Sequence, residues 1–241
     1  MKKATLSRPA EQAPATRASR GSLRKQPAAK DQPVSRRKIE VLAGLLFLWC
    51  TITFAIGNLL IKSYFSAGHP GSGTLVAGVL LEACTGFAVV GIGVAVRALV
   101  RPHGPRLSTA YLVFRVLEGA AILAVGVFFV ASRSQWRDYD VLVYAFSGAA
   151  GLVLSFLLLR SRLVPRWLAI LGIAGYAALL LGAASTALGI TDIHSGAGVL
   201  FLAPGGLFEL IFPLLLIFKG LEPVSSNLDP AKARSAAEVV A

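Results

Sequence analysis

The stretch IEVLAGLLFLWCTITFAIGNLLI, residues 39–61, holds one charged side chain, Glu40, and is otherwise interrupted only by Thr51, Thr53 and Asn58. An α-helix rises about 1.5 Å per residue, so a hydrocarbon core roughly 30 Å thick is crossed by about 20 residues. The run is long enough to span. Further blocks of similar length follow at about 74–100, 107–131, 141–159, 167–188 and 199–218, separated by short segments rich in Gly, Pro, Arg or Asp. A soluble core would instead show short apolar stripes broken by polar faces. The whole chain is 55% hydrophobic and 15% charged, with a mean hydropathy of +0.69, which excludes an ordinary soluble domain. The expected fold class is all-α: a six-helix transmembrane bundle over residues 39–221, with the lipid bilayer as its solvent.

Positive charge near helix ends is retained in the cytoplasm. The tail to Lys38 alone carries eleven Lys and Arg residues. Arg97, Arg101 and Arg106, then Arg160, Arg162 and Arg166, then Lys219, Lys232 and Arg234 fall on the same side of a six-span chain, against Lys62, Arg133 and Arg137 on the other. Both termini are therefore expected in the cytoplasm of a bacterial cell, with the bundle in the cell membrane.

Residues 1–38 are rich in Ala, Pro, Ser, Arg and Lys and poor in large apolar side chains, so they are expected to be disordered; residues 222–241 form a second short cytoplasmic tail. The basic tail fits anionic lipid headgroups, at about 1 kcal/mol per charge near the surface. Without interleaved aromatics or a folded module, it is not read as a nucleic-acid arm. Met1-Lys2-Lys3 resembles the start of a secretory signal, but no short apolar region follows. Pro9, Pro14, Pro27 and Pro33 argue against an amphipathic transit peptide.

Cys50 and Cys84 lie within spans, and His69, His103 and His194 in connecting segments, so neither a disulfide framework nor a metal or haem site is expected. The chain contains no HExxH, GxSxG or phosphate-binding glycine loop. No cofactor and no catalytic residue is assigned.

What remains is a set of ionisable residues at membrane depth: Glu82, Arg115, Glu118 and Glu209. A charge at the bilayer centre costs about 2.5 to 3.5 kcal/mol, so these side chains should turn inward and find one another. Arg115 and Glu118, three apart, share a helix face. Three carboxyls and one guanidinium do not balance. Either carboxylic acids stay protonated and act as hydrogen-bonding glue between helices, or a cation or a ligand's positive group occupies the space between them.

Two readings also stay open for the sixth span, where Pro204 and Gly205 precede Glu209 and Pro213 follows it. Proline removes a helical donor, so the span is either broken, as in transporters, or merely kinked with a late start near Pro204. Glycines 86, 91, 93, 151, 172 and 175, with Ser147, mark expected close approaches of helices.

Three segments together resemble a known family: Tyr111-x3-Arg115-x2-Glu118-Gly119, the run Arg160 to Leu168, and Pro204-Gly205-x-Leu207-Phe208-Glu209-Leu210 ending in Lys219-Gly220. The similarity is to the domain of unknown function 4386 family and extends over roughly Ile39 to Leu221. It implies a bacterial multi-pass membrane protein without an assigned activity, and it places Arg115, Glu118 and Glu209 in the family's pattern. Glu82 and the basic tail have no place there. Binding or transport of a small solute or protons, a structural or partner-binding role, and an intramembrane lipid-modifying enzyme are the functional readings, in that order.

Overall fold

The computed structural model describes residues 32–67, 72–134, 136 and 139–221. The helices are α1 (Gln32–Ser66), α2 (Ser72–Val100), α3 (Pro105–Ser132), α4 (Tyr139–Ser161), α5 (Arg166–Ala187) and α6 (Ala203–Phe218), with short 3-10 segments at Arg101–His103 and Gly196–Phe201. No strand occurs among the described residues. Six segments are long and apolar enough to cross a membrane, the sixth combining Gly196–Phe201 with α6.

Proline sets several boundaries. Pro102 cannot continue α2, which gives way to the 3-10 turn, and Pro105 opens α3 in a position where its missing N–H costs nothing. Pro165 likewise caps α5. Each helix packs against its neighbours in the chain, and α6 returns to α1, so the six form a closed ring.

The exterior is apolar and the interior carries the polar side chains. Leu59, Phe87 and Val127 face outward, each about two-thirds exposed, whereas Glu82, Arg115, Glu118 and Asp140 are buried. That is the distribution lipid demands.

Helix α1 corrects the expected start of the bundle. It begins at Gln32, so residues 32–38 of the presumed tail are helical; residues 1–31 and the tail from 222 lie outside the described residues. Side-chain bonding explains the extension. Arg36 and Arg37 reach the buried carboxylate of Glu40 at 3.2 and 3.5 Å, and Arg37 donates to the carbonyls of Leu216, at 2.7 Å, and Ile217. Those carbonyls sit in the last turn of α6, where no helical donors remain, so a cation there satisfies them and opposes the helix dipole.

Glycines let the ring close tightly. A methyl on Gly119 would fall 2.7 Å from the Gly86 carbonyl oxygen, bringing α2 and α3 into backbone contact, and one on Gly175 would fall 2.6 Å from the Gly205 nitrogen, doing the same for α5 and α6. The α1 and α2 backbones meet similarly at Gly57 and Gly78, positions the sequence reading passed over. Gly91, by contrast, meets only a leucine methyl at 3.3 Å.

Because backbone cannot give way as a side chain can, Gly175→Ala should lower the unfolding midpoint in detergent, at a cost of about 1–3 kcal/mol. Gly73→Ala, where an added methyl meets nothing within 4 Å, should leave it unchanged.

Candidate intramembrane binding site

All six spans contribute to a cavity of about 230 Å³, whose polar lining includes Arg115, Glu118, Glu209, Ser147, Thr51 and Thr85. Its walls are otherwise mostly apolar, with Phe47, Phe54 and Tyr144 presenting rings. Ala55 on α1 and Gly206 on α6 line it and are exposed, so the cavity reaches the side of the bundle between these two helices. A methyl on Gly206 would meet nothing within 4 Å, which agrees with an open mouth there.

Helix α3 supplies the charged wall. Arg115 Nη1 lies 2.8 Å from Glu118 Oε2, as their spacing of three on one helix allows. Arg115 Nε donates to the Tyr111 hydroxyl at 3.2 Å, and the guanidinium carbon lies 5.4 and 5.6 Å from the ring centroids of Tyr111 and Phe47. Cation–π contact of this kind supplements the ion pair where water is excluded. Gly93 makes the arrangement fit, since a side chain there would meet Arg115 Cβ at 2.9 Å. One group is left over: Arg115 Nη2 is buried and has no hydrogen-bond partner.

On the opposite wall Glu209 accepts a hydrogen bond from the Tyr176 hydroxyl at 3.1 Å. The Tyr176 ring occupies the space that a side chain on Gly151 would need. The expected break in the sixth span takes a milder form. Pro204 and Gly205 lie in the first turn of α6, which follows a 3-10 segment, and α6 runs unbroken through Pro213. Pro213 still deprives the Glu209 carbonyl of its helical donor.

Glu82 must be separated from the other three. It does not line the cavity. The Tyr139 hydroxyl, which receives Asn58 Nδ2 at 2.8 Å, donates to Glu82 Oε1. Beside them Lys62 Nζ lies 3.0 Å from Asp140 Oδ2, and His194 Nε2 lies 3.1 Å from Asp140 Oδ1. This second cluster joins α1, α2, α4 and the segment before Gly196 at the end of the bundle away from Arg37. Sequence reasoning missed it because Lys62, Asp140 and His194 each look like solvated loop charge. The spacing of Asn58 and Lys62, four apart on one face of α1, was the available signal. Among the described residues no group of three or more His, Cys, Asp or Glu side chains is arranged to hold a metal ion.

Removing one member of a buried ion pair strands its partner, at about 3–5 kcal/mol. Arg115→Gln and Glu118→Gln should each lower stability in detergent unfolding by that order. The double variant, which strands neither charge, should recover part of the loss in a double-mutant cycle.

No curated protein and no solved structure matches the chain. A family model does, over residues 42–140 and 133–220, which takes in α1 from Leu42 onward through to the end of α6. The chain is therefore a member of the family described as domain of unknown function (DUF4386).

Proposed function

We propose that this multi-pass protein sits in the cell membrane with both termini cytoplasmic and uses the cavity to bind, and to carry across the bilayer, a small polar solute or protons. The observation that carries the reading is the unpartnered Arg115 Nη2 on a cavity wall that faces the Glu209 carboxyl. A buried donor without a partner is rare in folded proteins, and an acceptor group on a ligand would satisfy it. An apolar chamber with a few convergent polar groups is also the ordinary form of a small-molecule site.

The orientation rests on charge. Of the 24 Lys and Arg residues, only Lys62, Arg133 and Arg137 would lie outside, with Arg115 inside a span. The basic tail would rest on anionic headgroups. Alkaline phosphatase fused to either terminus should be inactive and a fluorescent protein bright, and the reverse at either end overturns this orientation.

A second reading makes Arg115, Glu118 and Glu209 only polar glue between helices, and the Tyr176 bond to Glu209 favours it. Water access separates the two. With Cys50 and Cys84 replaced by Ala, a cysteine placed at Ser147 in the cavity wall should react with a small charged thiosulfonate at least tenfold faster than one at Phe87, which faces outward. Plugging the mouth with Gly206→Leu should slow that reaction. Equal rates at the two positions mean a sealed interior and the structural reading.

A further inference from the structure

Lys62 and Asp140 satisfy one another, but Glu82 has no cation of its own among the described residues. Its side chain is fully buried, Oε1 accepts from Tyr139, and Oε2 has no partner. The groups around it can be named by element. Helix α1 brings Asn58 and Lys62, α4 brings Tyr139 and Asp140, and the segment before Gly196 brings His194. At the same end α3 brings the apolar Val125 and Phe129, with Arg133 donating to the Tyr64 hydroxyl at 3.4 Å. Lys62 is already bound to Asp140, and among the described residues none gives Glu82 Oε2 a hydrogen bond or an ion pair.

An ionised carboxylate without company in low dielectric is expensive, so something neutralises it. Gly57 on α1 lies so close that a methyl there would meet Glu82 Cγ at 2.8 Å, and the carboxyl does not line the neighbouring cavity. Glu82 Oε2 is itself buried, with no space beside it that a water molecule could enter. A proton needs none.

We propose that Glu82 is an occluded proton-binding site, separate from the cavity and loaded from the end of the bundle where Lys62 and His194 are a third and a quarter exposed. Thr85, one turn further along α2, lines the cavity and bonds the Thr53 hydroxyl at 2.7 Å, so Glu82 stands between that end and the chamber. Coupling of this proton to cavity traffic rests on the transport reading; the proton site itself does not.

Infrared spectroscopy of the purified chain in lipid nanodiscs tests it without a ligand. The wild-type minus Glu82→Gln difference spectrum should contain a protonated-carboxyl C=O band at neutral pH that shifts on transfer to D2O, and the same band should persist in Glu209→Gln. A carboxylate band in its place, or an acid band that never exchanges, overturns the proposal. Should Glu82→Gln fail to fold, Tyr139→Phe takes its place. Loss of the hydroxyl donor should move the band to higher frequency, and an unmoved band overturns the assignment. Failure of the Ser147 labelling experiment would sink the cavity reading and leave this spectrum unaffected.

Discussion

A formal charge at the centre of a bilayer costs about 2.5 to 3.5 kcal/mol even on lenient insertion scales, and the interior of this ring is arranged around that penalty. Apolar side chains need no interior here, because lipid solvates them as well as protein does. Polar side chains do. The closest backbone approaches are therefore made at glycines, at Gly57 with Gly78, Gly86 with Gly119 and Gly175 with Gly205, while the mostly apolar interior of the ring also holds Arg115, Glu118, Glu209 and their partners. The two features depend on one another. Gly93 on α2 leaves the space that the stem of Arg115 fills, while Glu118 and Tyr111, its partners, lie on its own helix.

The spans were legible because length and apolar content are properties of consecutive residues, and nothing distant enters the reading. The pairing of Arg115 with Glu118 was legible for the same reason, since three positions on one helix settle it. Glu82 was grouped wrongly because its surroundings are decided by which helices are neighbours. Its hydrogen-bond partner, Tyr139, stands at the first position of α4, fifty-seven residues away, and no local pattern links them. Arg37 failed in the same way. Within a proline-rich basic stretch it reads as tail, and only the return of α6 to α1 gives its guanidinium two carbonyls to cap.

The two clusters share a composition that neither shows alone. Each has one Lys or Arg and two carboxyls, Arg115 with Glu118 and Glu209, Lys62 with Asp140 and Glu82, and the second adds His194 against Asp140. In each the cation takes one carboxyl, and a tyrosine hydroxyl, from Tyr176 or Tyr139, donates to the other. A phenol adds no charge of its own, so it holds the surplus carboxyl in place while favouring the ionised form far less than a cation would. A second Arg or Lys would keep that carboxyl ionised and close the site to any other cation.

What differs is the space beside the surplus acid. Glu209 faces a chamber that reaches the flank of the bundle, whereas Glu82 is packed against the α1 backbone at Gly57. The same chemistry is therefore set in two different surroundings, one beside a chamber and one closed in by the packing of α1 on α2.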